Sequence, residues 1–158
     1  MRIIAIMIVL LGALGPAAPV LGQDAGQDGS APSCAIAPPD MVGAALGLKL
    51  DPPVQSSDGA MTWCVYPGTG SSATVLIRIA VGASVDSLET EREGFDSHGQ
   101  PTTPIDGLGD AAFSTTVAAG VIQAASVEAV KGSTMIFVTA PASLVQVEGL
   151  VSLLLSPL

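Results

Sequence analysis

The residue of this sequence best suited to acid–base chemistry is its single histidine. His98 lies in a polar, loop-like segment, and Asp96, Asp106 and Asp110 are the carboxylates that could pair with it. A general base needs a nucleophile and an orienting acid within hydrogen-bond reach. The chain shows no serine, cysteine or metal constellation of a known catalytic signature. We therefore predict no catalytic residues, and a small secreted hydrolase using His98 with one of these aspartates is the alternative hypothesis.

The two cysteines are the second candidate for chemistry. The chain has two cysteines, Cys34 and Cys64, and an exported protein with an even number of cysteines is expected to pair them in disulfides. The bond would close a loop of about 30 residues and fix the first helix to the first strand. A zinc site needs four ligands, whereas the chain offers one histidine and no closely spaced cysteine pair. We predict one disulfide bond, no metal and no cofactor.

Export is expected from the first 22 residues, which have the order of a secretory signal peptide. Arg2 precedes the apolar run Ile3–Leu11, and small residues lead to an expected cleavage site after Gly22. A membrane-spanning helix needs about 20 apolar residues, and Gly15-Pro16 interrupts this run. We expect a secreted or periplasmic, cell-envelope location with no transmembrane span after cleavage. An uncleaved N-terminal anchor is the alternative.

The remaining chain has material for one domain and little positive charge. Residues 23–33 lack apolar periodicity, which predicts a disordered tether before a single domain at residues 34–158. The full chain has 5 basic and 14 acidic residues, a net charge of -9. Nucleic acids and anionic lipid surfaces are bound through patches of Lys and Arg. Because the few basic residues are not clustered, neither is an expected partner.

The segment Val121–Ala140 predicts a β-hairpin in the middle of an antiparallel sheet. A two-residue turn at Lys131-Gly132 would place Val127 opposite Ile136 and give one branched, apolar face. The other face would be mixed and small. In a second predicted hairpin, Arg78 alternates with apolar residues and is expected to face water.

The other elements complete an α+β fold. Helices are predicted on the branched face of an antiparallel sheet of about five strands, in the order α-β-β-α-β-β-β-α. The flanking predicted elements are a helix at Met41–Gly47, strands at Met61–Tyr66 and Ala73–Val81, a helix at Val85–Phe95, a short strand within Ile105–Phe113, a connector at Ser114–Gly120 and a helix at Ala142–Leu155.

Ile105–Phe113, with the sequence IDGLGDAAF, is the most distinctive short motif. Leu108 is expected to be buried, while Asp106 and Asp110 either cap turns or face a metal. Aspartate routinely satisfies backbone donors in glycine-rich turns, and two carboxylates are few for calcium. The motif therefore favours turn caps.

Taken together, these segments resemble a family. Cys34, the short helix ending at Leu46-Gly47, Cys64-Val65-Tyr66, the Gly107–Ala112 segment, Val127–Gly132 and the apolar C-terminal helix are similar to small actinobacterial-type secreted or lipid-anchored domains of unknown function. The resemblance spans nearly all of Cys34–Leu158. It implies an extracytoplasmic α+β domain with one disulfide and no established catalytic set. This sequence differs in having no lipid-attachment cysteine at the end of its signal.

The function expected from these observations is a non-catalytic binding or interaction module outside the cytoplasm. Its partner would be an envelope protein or a small apolar ligand. Small residues that flank an aromatic ring can form a shallow groove, and surplus apolar residues of the last helix can form a contact surface. The predicted binding residues are Ala124, Ser126, Met135 and Phe137 on the mixed hairpin face, and Val145 and Leu153 on the last helix.

Overall fold

The computed structural model describes residues 32–119 and 122–158. The predicted signal peptide, residues 1–22, and nearly all of the predicted tether, residues 23–33, lie outside the described residues. The described chain confirms the α+β class, with one antiparallel sheet and three α-helices. Its elements are a 3-10 helix at Cys34–Ile36, α1 at Pro39–Leu46, β1 at Val54–Asp58, β2 at Met61–Pro67, β3 at Thr74–Val81, α2 at Val85–Ser97, β4 at Thr102–Pro104, β5 at Ala111–Ala119, β6 at Ile122–Lys131, β7 at Thr134–Ala140 and α3 at Leu144–Leu155.

The sheet of the described chain has seven strands in the order β1-β2-β3-β7-β6-β5-β4, so the prediction of about five is too low. The two missed strands are the edges. All five residues of β1 are exposed, and β4 has three residues and ends in Pro104. Neither shows the apolar alternation of a half-buried strand. The predicted connector Ser114–Gly120 also proves to lie largely in β5, which runs to Ala119.

Helices cover both faces of the sheet, so the prediction that they share the branched face is wrong. α1 and α3 pack on the face that carries Ile77, Val127 and Ile136. α2 packs on the opposite face, where Leu88 joins a cluster with Met135. The sequence of β7 explains why both faces are covered, because its four consecutive residues from Met135 to Val138 are apolar. Such a run is typical of a strand buried on both faces.

The β6–β7 hairpin turns at Gly132-Ser133, one residue later than predicted. Gly132 has φ of +59° and holds the first turn position, where a type II′ turn requires a positive φ. Val127 therefore pairs with Val138 instead of Ile136. The pairing shifts by two residues, which leaves each side chain on its predicted face.

The predicted disulfide between Cys34 and Cys64 is confirmed, and their Cα atoms lie 5.7 Å apart. It joins the 3-10 helix to the centre of β2. Beside it, the buried hydroxyl of Tyr66 donates a hydrogen bond of 2.6 Å to the carbonyl oxygen of Ala37. Burial raises the pKa of Tyr66 to about 12, so the hydroxyl remains a donor at neutral pH. The start of the domain is thus fixed to the sheet by a covalent bond and a hydrogen bond.

The glycine-rich loop before β5 closes one end of the core. Leu108 is buried in the α1 and α3 cluster, as predicted. Gly109 has φ of +67°, and a Cβ at this position would lie 2.4 Å from the carbonyl oxygen of Val130. The carboxylate of Asp110 accepts a hydrogen bond of 2.7 Å from the N–H of Gly132. Asp110 is therefore a turn cap, as the motif favours.

The close approach at Gly109 predicts a difference between two glycines of this loop. Gly107 also has a positive φ, but a Cβ there would meet no atom within 4 Å. We expect Gly107→Ala to cost only the left-handed backbone strain, roughly 1–2 kcal/mol. Gly109→Ala adds a clash with the backbone of β6, so its expected cost is roughly 2–5 kcal/mol. Urea denaturation measures both, and equal losses of stability would contradict the close packing of this loop on β6.

Candidate functional site

A row of side chains crosses the sheet on the face that α2 partly covers. Trp63, Arg78, Phe137, Glu128 and Phe113 pair in succession across β2, β3, β7, β6 and β5. Directly paired residues of neighbouring strands lie side by side on one face of a sheet. The row therefore places two ionisable groups among three aromatic rings at the centre of the sheet.

The guanidinium of Arg78 links two strands and a helix. Its Cζ lies 5.2 Å from the ring centroid of Phe137, on the strand that separates Arg78 from Glu128. Its Nη2 contacts the carboxylate of Glu128 and also that of Glu91 on α2. The prediction that Arg78 faces water is wrong, because α2 places a carboxylate over the strand. The planar guanidinium serves here as both an ion-pair and a cation–π partner.

Aromatic contacts hold α2 over the same row. Phe95 of α2 packs edge-to-face on Phe113, with ring centroids 5.8 Å apart. It also stacks on Phe137, with centroids 6.0 Å apart. Such pairs stabilise by roughly 0.5–1.5 kcal/mol beyond the burial of their area. Phe137 is therefore contacted both by the Phe95 ring of α2 and by the Arg78 guanidinium of β3.

Glu128 is the most unusual ionisable group of the site. Its side chain is fully buried, and its Oε2 has no hydrogen-bond partner within the described part of the chain. Burial raises the pKa of Glu128 to about 8, although Arg78 opposes the shift and Glu91 adds to it. One guanidinium balances the charge of only one of the two carboxylates. At neutral pH, Glu128 is therefore mostly protonated.

Beyond the area covered by α2, the same face opens into a groove of about 490 Å³. Leu76 and Thr139 form a cross-strand pair in it, two residues along from Arg78 and Phe137. Ligand pockets are usually about 300–1,000 Å³, so the groove has room for a small molecule. Its described lining residues are Ser71, Ser72, Ala73, Thr74, Leu76, Ala124, Thr139 and Pro141. These side chains are apolar or carry hydroxyl groups, and none of them is charged.

One of the predicted binding residues lines this groove, and a second is hydrogen-bonded to a lining residue. Ala124 lines the groove. Ser126 is buried, and it shares one hydrogen bond of 2.9 Å with the hydroxyl of Thr139, in which either hydroxyl can donate. The small residues Ala124 and Ser126 of the predicted mixed face thus lie next to the groove.

The other four predicted binding residues lie elsewhere, so the six do not form one surface. Met135 is buried beneath α2, and Phe137 stacks on Phe95 of that helix. They do not form the open face expected around them, because α2 covers it. Val145 and Leu153 are exposed by 77% and 52%, but they belong to α3, which packs on the opposite face of the sheet.

His98 gives no sign of catalysis in this structure. It is exposed at the C-terminal cap of α2, where its Nδ1 lies 2.7 Å from the carbonyl oxygen of Gly94. The carboxylate of Asp96 instead accepts hydrogen bonds at the start of β4, and Asp106 is exposed in the loop before β5. Within residues 32–119 and 122–158, no carboxylate lies within hydrogen-bond distance of His98. The geometry therefore gives the hydrolase hypothesis no support.

Sequence reasoning missed the cluster of Arg78, Glu91 and Glu128, although a signal was present. Arg78 is the one charged residue of β3, and Glu128 is the one acidic residue of β6. Both alternate onto the mixed face, and charged residues inside apolar strands are rarely buried unless they are paired. The groove carries no comparable signal, since the serines of the β2–β3 loop look like ordinary turn residues.

No protein-family model, curated protein or solved structure matches the chain. Among the residues that the structure describes, no three His, Cys, Asp or Glu side chains are grouped closely enough to hold a metal ion. No helix of that same part is long and apolar enough to cross a membrane.

The raised pKa of Glu128 predicts how stability changes with pH. Its pKa is about 8 in the folded protein, against 4.5 for a free glutamate. Between these values the folded state binds a proton that the unfolded state has lost. The free energy of unfolding should therefore fall as the pH rises from about 5 to about 8, with a slope of up to ~1.4 kcal/mol per pH unit, and level off above that range.

Glu128→Gln isolates this contribution, because the amide has the shape of the protonated acid and does not titrate. We expect urea denaturation at a series of pH values to show a shallower slope for this variant than for the unaltered protein. Identical slopes for the two proteins would contradict the assignment of a protonated Glu128.

Proposed function

We propose that this protein is a non-catalytic binding module, exported from the cytoplasm, whose groove holds a small, uncharged and largely apolar ligand. The observation that carries the proposal is the groove itself, which has ligand-sized volume and no charged side chain among its described lining residues. Leu76, Ala124 and Pro141 offer apolar contacts. Hydroxyl groups, such as those of Thr74 and Thr139, can orient a ligand through a few hydrogen bonds.

The charge of the protein favours an uncharged ligand. The chain carries a net charge of -9, which disfavours the approach of anions. A cation would enter a groove whose described side chains provide no carboxylate, so its lost hydration would not be replaced. A neutral molecule incurs neither cost.

The disulfide is consistent with a location outside the cytoplasm. Disulfides persist in oxidising compartments and are rare in the cytosol, and Cys34 and Cys64 are bonded here. With the order of residues 1–22, this supports the proposal of an exported protein.

The groove can be tested with an uncharged apolar dye such as N-phenyl-1-naphthylamine. We expect dye fluorescence to rise on binding, and Ala124→Leu to weaken binding at least ~10-fold because its larger side chain fills the groove. Ala44→Leu is the matched control, since Ala44 is exposed on α1, which packs on the opposite face of the sheet.

Trp63 gives a second readout of the same titration. It is the one tryptophan of the chain, and it lies on the groove face diagonally next to Leu76. A dye in the groove should quench its emission. If Ala124→Leu binds the dye as tightly as Ala44→Leu, or if the unaltered protein does not bind it, the proposed function is wrong.

A further inference from the structure

The polar part of the contact between α2 and the sheet contains two carboxyl groups but only one guanidinium. Leu88 and Phe95 of α2 make its apolar contacts, and Glu91 makes its polar contact to Arg78. Arg78 is shared with Glu128. With both carboxylates ionised, this contact would carry a net charge of -1 in a largely dehydrated site.

The proton that restores the balance belongs on Glu128. Its side chain has no exposed surface, whereas the side chain of Glu91 is 30% exposed and can be hydrated. The Oε2 of Glu128 also has no donor among the described residues. An ionised oxygen in that position would lose its hydration without compensation, and an unpaired hydroxyl of the neutral acid costs much less to bury than an unpaired charge.

Other charged groups around the contact are paired or lie at its margin. Arg92 binds Glu89 and Asp96 along α2. His98 borders the same shallow depression as Glu91, so its titration has to be controlled. Lys131 of β6 donates to the carbonyl oxygen of Leu155 on α3. The other residues of the row, Trp63, Phe113 and Phe137, are uncharged. The remaining acidic residues of α2 are Asp86 and Glu93.

We propose that α2 is a proton-controlled cover, which lies on the sheet while Glu128 is protonated and is released when the Glu128 carboxyl loses its proton to water. Ionisation leaves two carboxylates on one guanidinium, and the excess charge can be hydrated only if the helix moves away. Release exposes Phe137 and Met135. Since Phe137 is two residues along β7 from Thr139, the newly exposed surface is continuous with the groove. The inference stands on the charge cluster and does not depend on what the groove binds.

Hydrogen exchange of the oxidised protein tests this directly, with amides of Leu88–Phe95 compared with those of β7. The β7 amides report global opening, because β7 is paired on both sides by β3 and β6. Each rate is divided by that of an unstructured peptide at the same pH. We expect the opening constant of α2 to increase about tenfold per pH unit between about pH 6 and pH 8 and to exceed that of β7 at every pH. The β7 amides follow the pH dependence of global unfolding, but from a much lower opening constant.

Variants identify the group responsible. Glu128→Gln should abolish the pH dependence of α2 opening, and Glu91→Gln should move it to lower pH, since one carboxylate then remains for Arg78. The second variant keeps the test valid if the first does not fold, because Glu91 is partly exposed. His98→Gln should change nothing.

Several results would overturn the proposal. These are a pH-independent α2, equal opening constants of α2 and β7 at every pH, retention of the full pH dependence in Glu128→Gln, an unmoved dependence in Glu91→Gln, or its loss in His98→Gln.

Discussion

The reach of Arg78 across Phe137 is the constraint on which the arrangement of this face depends. Phe137 occupies the strand between Arg78 and Glu128, so the guanidinium and the carboxyl group meet only if the arginine side chain extends over the ring. In that position the guanidinium also meets Glu91. A buried charge that loses its partners is strongly destabilising. The packing of α2 and the pairing of three central strands are therefore energetically linked.

This link also explains why the sheet face is divided. α2 contacts β4, β5 and β6 and covers Phe113 and Phe137 of the row, but the pair Leu76 and Thr139 lies outside its reach. The uncovered part holds small and hydroxyl-bearing side chains, which leave space above the sheet. The same helix placement thus produces a filled half with a buried charge cluster and an open half with a groove. Opposite this face, α1 and α3 complete a conventional apolar core.

The sequence predicts well what depends on local pattern. Alternation places Val127, Ile136 and Val138 on one face, and the cysteine count predicts the disulfide. The sequence predicts poorly the features that depend on tertiary contacts. The one-residue displacement of the turn is invisible to alternation, because it moves the pairing by two. The exposed edge strands β1 and β4 have no apolar pattern to detect.

The candidate site shows the same limit more sharply. Ala124 lines the groove, but the Ser71–Thr74 segment reaches it only through the folding of the β2–β3 loop over the sheet. Arg78 and Glu128 are separated by 50 positions in the sequence, and their contact depends on β7 lying between β3 and β6. The raised pKa of Glu128 follows from this burial. The apolar run Met135–Val138 indicates that β7 is buried on both faces, but alternation across the hairpin predicted a mixed face open to solvent. Met135 and Phe137 were therefore expected to be open.

The most direct test of this account is the ionisation of Glu128 itself, measured by the side-chain carboxyl ¹³C shift in a pH titration of the folded protein. The assignment to Glu128 can be made by comparison with the spectrum of Glu128→Gln. We expect a resonance of a neutral carboxyl at pH 7 that titrates with a midpoint near 8, in keeping with a pKa of about 8. A midpoint near 4.5, the value for a free glutamate, would show that Glu128 is ionised in the folded protein and that no proton balances the cluster of Arg78, Glu91 and Glu128.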